Sequence, residues 1–286
     1  MEKLIQFCNK EALYDGPFNN KVGWHAAGMG YILVTENGRL VVIDGGNYND
    51  TEEFLALLEQ TAGGKPVVDL WIITHAHGDH FGAIDGISKN PELCARLEVK
   101  EFLWRFPEEF VEDNGDTSNI KFNVMMRRIC DTFGAAAHTP ELDEKLTVDS
   151  MEFHFLYYAY DCRIINNAFN TNACSLIFTV QAKTKKMMFT GDAVTRNLHV
   201  VTWMYHKKLK CDILQLPHHA LCDTGLLAFY KEVDAAILRE PTCKAGDRAM
   251  HSELYCNTEH GRWTNWVEEN AAKIYKSFEG TKEIVL

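Results

Sequence analysis

Apolar residues follow two different spacings along the chain. YILVT (31–35) and LVVID (40–44) are short β-branched runs on either side of ENGR, and the Asn37-Gly38 pair between them is a strong hairpin signal. DTEEFLALLEQTAG (50–63) shifts to a helical period, with Asp50 or Thr51 to cap its start and glycines to end it. VVDLWIIT (67–74) is apolar nearly throughout and reads as a strand covered on both faces. A second series begins near residue 145. KLTVDSMEFHFLYY (145–158), SLIFTVQA (175–182), KKMMFTGD (185–192), CDILQLPHH (211–219) and DAAILRE (234–240) all have strand character, whereas NIKFNVMMRRICDTFGA (119–135) has helical spacing. Two groups of strands with helices between and after them predict two sheets packed face to face beneath outer helices. No repeat, low-complexity tract or Pro/Gly/Ser-rich linker divides the chain, so residues 1–286 are expected to form one domain.

Ligand-type side chains collect at the ends of these strands. WIITHAHGDH (71–80) places His75 and His77 two apart in extended backbone, where they point to one side and can grip one cation. Asp79 and His80 follow the turn at Gly78 and can reach a second cation a few ångströms away. Asp192 comes directly after an apolar run and a glycine, a place where a carboxylate can bridge two metals or simply cap a helix. The adjacent pair His218 and His219 follows a proline-terminated strand, either of them a ligand or a structural residue. Asp44 ends a strand ahead of two glycines, where it can orient a ligand histidine through the other ring nitrogen.

Composition narrows the setting. With 286 residues, 46% hydrophobic and 24% charged, the chain has ordinary globular make-up. The charged stretch MEKLIQFCNK does not read as a signal peptide and no window reaches the roughly 18 apolar residues of a span, so no membrane is expected and the location reads as cytoplasmic. Nine cysteines without a CxxC pair read as reduced thiols rather than a disulfide framework or a zinc knuckle. A net charge of −11 argues against extended duplex nucleic acid as partner and leaves a small-molecule or short nucleotide substrate; oligomeric state stays open.

The ordered set G-x-L-x-x-I-D-x-G (38–46), T-H-A-H-G-D-H (74–80), F-T-G-D-A (189–193) and D-I-L-x-L-P-H-H (212–219) resembles the metallo-β-lactamase superfamily, and its GDA and D-x-L-x-x-P-H-H elements are most similar to the ComEC-like branch. The resemblance spans about residues 23 to 240. It implies an α/β (α+β) four-layer αββα sandwich with two divalent metal ions, zinc or manganese, between the sheet edges. His75 and His77 would hold the first, Asp79 and His80 the second, Asp192 would bridge, and His219 or His218 would complete the second. Many members supply a third histidine to the first metal; here the corresponding segment NNAFNTNACS (166–175) has none, which makes Asn172 the candidate, with Ser175 a neighbour that can face substrate. His138 reads as a helix-terminal cation and His154 as a strand-face residue. Tyr31 stands where ComEC-like sequences tend to be acidic and is a further candidate to face substrate.

Beyond residue 240 the segment HSELYCNTEHGRWTNW (251–266) is either a lid that brings His260 over the site or an ordinary helix with Trp263 and Trp266 on the core. Trp24 and His25 either line the cleft or anchor the N-terminal segment. KTKK (183–186) reads as a solvated turn, and Arg127, Arg128 and Arg163 are phosphate contacts only if they face the cleft.

Two cations held by histidines and carboxylates lower the pKa of water from 15.7 toward about 7, so hydroxide is available at neutral pH. Asp79 is then the expected group to orient the hydroxide and move a proton toward the leaving group. The expected function is metal-dependent hydrolysis, with phosphodiesters favoured. The alternatives are hydrolysis of small carboxylic esters, thioesters or lactones, and a metal-binding module without catalysis.

Overall fold

The computed structural model describes residues 1–17, 28–108, 121–158, 171–220, 225–256 and 258–286. Its first sheet contains β1 (Lys3–Gln6), the expected hairpin β2 (Gly30–Val34) and β3 (Leu40–Asp44), then β4 (Val67–Ile73), β5 (Glu98–Val99), β6 (Glu101–Trp104) and β7 (Ala136–His138). The second holds β8 (Lys145–Val148), β9 (Met151–Tyr157), β10 (Ile177–Gln181), β11 (Lys186–Phe189), β12 (Ile213–Gln215), β13 (Ile237–Glu240) and β14 (Lys273–Lys276). β15 (Lys282–Val285) returns to the first sheet, giving the orders β15-β1-β2-β3-β4-β6-β7, with β5 also on β4, and β14-β13-β12-β11-β10-β9-β8. Residues 241–286 therefore supply an edge strand to each sheet.

Alternation along the strands builds the layers. Val41 and Ile43 of β3 point inward with Phe178 and Val180 of β10 and Phe153 of β9, forming the core between the sheets. Leu40 and Val42 point the other way, toward α1 (Thr51–Ala62), α2 (Gly78–Ser88) and α4 (Phe122–Phe133); α3 (Pro91–Ala95) follows α2 on the same side. The second sheet's outer face is covered by α5 (Thr195–Tyr205), α6 (Leu227–Val233) and α9 (Glu259–Asn270), the last preceded by α7 (Lys244–Met250) and α8 (Glu253–Cys256). The result is the four-layer αββα sandwich. No helix among the described residues is long and apolar enough to cross a membrane, and none of the seven described cysteines is in a disulfide.

Departures from the pattern have local causes. The run 145–158 is broken by Asp149, which turns left-handed at φ 52° and makes a tight β8–β9 hairpin. The run 185–192 stops at Phe189 because Gly191 also turns left-handed. The helix expected at 119–135 ends at Phe133 under a left-handed Gly134, so His138 lies on a strand and not at a helix terminus. KTKK does form the β10–β11 turn, with Lys183 paired to Glu36.

Glu240, at the end of β13, is 3% exposed, and burial pushes its carboxyl up to about 8 against the pull of Lys276. A carboxyl raised in the folded state costs stability as pH rises: the contribution is whole below about 4.5, the unfolded value, and is lost by the time pH passes about 8. Glu240→Gln removes that loss, which is on the order of a few kcal/mol. The melting temperature of the variant should exceed that of wild type by a margin that widens from pH 5 to pH 8.5. A margin constant across that range would contradict the assignment.

Candidate metal centre

β4 ends at Ile73, and the chain stays extended through His77 (φ −102°, ψ 144°) before α2 begins at Gly78. Two ligand-type side chains thus come from extended backbone and two, Asp79 and His80, from the first turn of a helix. That helix contains glycines that weaken it intrinsically. One of them explains its presence: a Cβ on Gly82 would lie 2.3 Å from the backbone nitrogen of Tyr48 and 2.5 Å from the carbonyl carbon of Asn47. Glycine here lets α2 sit directly on the 47–50 turn, which fixes where Asp79 and His80 stand.

The second sheet contributes Asp192 and His219 from two neighbouring loops. Gly191, at φ +53°, has no room for a Cβ either, since Thr74 lies 2.9 Å from that position. Buried Gln215 ties the two loops together. Its Oε1 accepts from the backbone N–H groups of Thr190 and Gly191, at 2.7 and 2.9 Å, and its amide nitrogen donates to the Gly191 and Leu216 carbonyls. After Pro217 the chain makes a left-handed turn, with His218, His219 and Ala220 at φ 49°, 54° and 60°. Each such residue costs roughly 1–2 kcal/mol relative to right-handed backbone, so this turn is held by its surroundings.

These elements bring donor atoms together in two groups, each spanning less than 4.8 Å: Asp79, His80, Asp192 and His219 in one, His75, His77 and Asp192 in the other. Asp192 belongs to both. Its Oδ1 is 3.2 Å from His80 Nε2, and its Oδ2 is 3.6 Å from His75 Nε2 and 3.4 Å from His219 Nε2. His219 Nε2 is also 3.2 Å from Asp79 Oδ2. Although buried and close, His80 Nε2, His219 Nε2 and Asp192 Oδ1 have no hydrogen bond of acceptable geometry. Orphaned polar atoms converging on one point are what a cation site requires.

The outward nitrogens are fixed from behind. His80 Nδ1 is 2.8 Å from Asp44 Oδ2 and His219 Nδ1 is 2.7 Å from the Pro241 carbonyl oxygen, so both rings turn Nε2 toward the cluster. Asp44 also accepts from the Thr74 backbone N–H and hydroxyl, at 2.8 and 2.9 Å. The charges are mutually dependent. Burial alone would lower His80 and His219, but Asp192 with the neighbouring carboxylates drives His80 well above its ordinary value and His219 up to about 10. Burial would raise Asp192, yet His219, His80 and His75 hold it well below the carboxylate range, and His80 and His219 do the same for Asp79. Burial and the neighbouring His80 keep His75 neutral. A divalent cation bound here would take the place of the protons on these rings.

Other expected positions fall differently. His218 stands outside both groups, its Nε2 3.1 Å from the amide nitrogen of Asn172. Ser175, expected to face substrate, is fully buried and its hydroxyl accepts from the Asp192 backbone N–H at 3.0 Å. Tyr31, expected to face substrate, points inward from β2, is fully buried, and meets Phe189 edge-on at 5.4 Å. His138 pairs with Glu144 and Glu101, and His154 with Asp143, away from the cluster. Trp263 stacks on Tyr230 at 4.7 Å inside the outer core, so this part of the 251–266 segment packs as an ordinary helix and not as a lid. Trp24, His25 and Arg163 lie outside the described residues, as does the side chain of His260. Thr74 and Gln215 were not legible as site residues; a threonine beside a motif and a glutamine in a strand carry no signal of their own.

The family model of the metallo-beta-lactamase superfamily matches residues 30–161. Among solved structures, the chain is similar to Zn(2+)-bound PqqB from Methylobacterium extorquens (TM-score 0.57, 9% identity, covering 100% of both chains). It is also similar to the metallo-beta-lactamase fold protein YhfI from Bacillus subtilis (TM-score 0.55, 12% identity, 99% of this chain and 100% of that one). A third is CmlA, a diiron beta-hydroxylase from Streptomyces venezuelae (TM-score 0.54, 11% identity, 99% of this chain and 54% of that one). No curated protein sequence matches the chain.

Proposed function

The chain has the metallo-β-lactamase fold, and from that premise we propose that it is a metal-dependent hydrolase with a dinuclear centre, acting on small phosphodiesters or short single-stranded nucleotides. The observation that carries this reading is the pair of donor groups sharing Asp192. Divalent cations bound there would supply hydroxide at neutral pH and polarise the oxygen of the scissile group. His75 and His77 would hold one, Asp79, His80 and His219 the other, and Asp192 would serve both. Within the four-donor group Asp79 has the most exposed side chain, at 20% against 3% or less for its companions. It therefore faces the opening, where its carboxylate takes up a proton and passes it toward the leaving group. Asp44, through His80 Nδ1, keeps that ring in its ligating orientation.

The fold alone does not choose the chemistry, since PqqB is zinc-bound and CmlA is a diiron hydroxylase. Hydrolysis is supported by the balance of charge: two carboxylates against two divalent cations leave a positive centre that suits a phosphodiester. The ComEC-like motif set supports the same substrate class, and the net charge of −11 favours compact substrates over a long polyanion. The test is a panel of a chromogenic phosphodiester, single-stranded DNA, an aromatic ester and a lactone, assayed with stripped and reloaded protein. Ester or lactone turnover without phosphodiester turnover would move the assignment to a carboxylic-ester hydrolase.

The two groups differ, with four donors in one and three in the other. An oxygen donor, Asn172 or water, would complete the smaller group and shift it toward harder cations. Calorimetric titration should show two unequal binding steps, the four-donor group filling first, and activity after chelation should return better with manganese than with zinc. Two equal, tight zinc sites would refute this.

A further inference from the structure

A cavity of about 320 Å³ lies where β6 runs out, lined in part by Trp104, Arg105, Phe106, Asn123, Arg127 and Thr139. That volume is at the lower end of the range for small-molecule pockets, about 300–1,000 Å³. β6 runs parallel to β4 with Ile73 opposite Trp104, so Arg105 and Phe106 leave the sheet at the same edge as Thr74 and His75. One inter-strand spacing, about 5 Å, separates the two exits. Aromatic contacts join them as well: the ring of Phe81, next to His80, is 5.3 Å from Phe122, which is 5.3 Å from Phe106.

The apolar side of this cavity is held in place, and the carboxylate partners of its arginines are exchangeable. Asn123 accepts from the Trp104 indole N–H at 2.9 Å and donates to the Phe106 carbonyl at 3.0 Å, which holds the Trp104 ring and the Phe106 backbone. Arg127 pairs with Glu108 and Arg105 with Glu141, each at 3.0 Å, and both glutamate side chains are about two-thirds exposed, at 70% and 67%. Solvent screens pairs with such exposed carboxylates and leaves them weak, so a ligand anion displaces the glutamates at small cost. Arg105 is meanwhile anchored by the Pro140 carbonyl at 2.8 Å and by the Tyr158 ring, 3.7 Å away. Arg128 differs: it is bound to nearly buried Asp85 and does not line the cavity.

We propose that this cavity is a subsite for a phosphate or carboxylate group carried on a small aromatic body, the anion gripped by Arg127 and Arg105 and the body lying against Trp104 and Phe106. That the bound molecule is a substrate reaching the metal centre rests on the hydrolase reading; the binding itself does not. Calorimetry on metal-loaded protein, with phenyl phosphate and benzoate as separate probes, tests it and shows which head group is preferred. Arg127→Gln should weaken one binding event about tenfold or more. Glu108→Gln should tighten the same event several-fold by removing the competing carboxylate, an opposite sign that a general structural disturbance does not produce. In His77→Ala that event should persist. Loss of all binding in His77→Ala with no change in Arg127→Gln would place the anion at the metals and overturn the proposal, as would binding of neither probe. Intact arginine-dependent binding with no hydrolysis across the panel would instead overturn the hydrolase reading alone.

Discussion

Alanine at His77 or at Asp192 should abolish hydrolysis while leaving the fold in place. Among the described residues Asp192 alone is common to both donor groups, so its loss would take an oxygen from each bound cation and removes the carboxylate that faces His75, His80 and His219. The backbone around it has independent support, since the Asp192 N–H still donates to Ser175 and the loop remains tied to Gln215. His77 is half-buried and comes from an extended segment before α2, so its removal leaves no large void in the core. The expected loss in kcat/KM is on the order of a thousandfold or more for either variant. Bound metal should fall below two equivalents by elemental analysis, with circular dichroism unchanged. Full activity in both variants, or active wild-type protein without metal above background, would refute the assignment.

Gly82→Ala should be among the most damaging single-methyl changes in the protein. The added carbon meets backbone atoms of Tyr48 and Asn47 at 2.3 and 2.5 Å, and neither can swing aside as a side chain does. Either α2 lifts from the 47–50 turn or the turn distorts. Overpacking of this kind costs about 3 kcal/mol, at the upper end of its usual range, which lowers the melting temperature by several degrees for a chain of this size, roughly 2 °C per kcal/mol. Because α2 carries Asp79 and His80 in its first turn, the four-donor group should lose affinity as well. Gly78→Ala, where no atom lies within 4 Å of the added carbon, is the control and should have little effect on stability. Equal melting temperatures for the two variants would show that the turn yields more easily than this packing implies.

What the sequence made legible follows from how local the signal is. His75, His77, Asp79 and His80 sit within six residues whose strand-end setting follows from hydrophobic spacing, and Asp192 is marked by the apolar run and glycine before it. The choice between His218 and His219 was not legible, because a left-handed turn sends adjacent side chains to different places and nothing in the residue types demands positive φ there. Nor was α2: GDHFGAIDGIS is poor in helix formers, and the helix exists because its glycines allow close packing against a turn far from it in sequence. The motif position of Tyr31 says nothing of its burial, which is decided by the inward face of β2. The strands KIYK and KEIV carry charged residues on sheet edges, which hides them from a search for apolar runs while suiting strands with one open side.

The donor atoms are divided between the two halves of the sandwich. His75, His77, Asp79 and His80 follow a strand of the first sheet, Asp192 and His219 follow strands of the second, and neither sheet alone holds a complete group. A cation bound in either group would therefore be a rivet through the joint between the sheets, and parting them would require its release. Metal supply would then set mechanical cohesion: at a free concentration a hundredfold above its dissociation constant, each rivet would add about 2.7 kcal/mol to the work of opening the sandwich. In metal-poor surroundings the joint would open more often, and the protein's lifetime against proteolysis would track the cation level of its compartment.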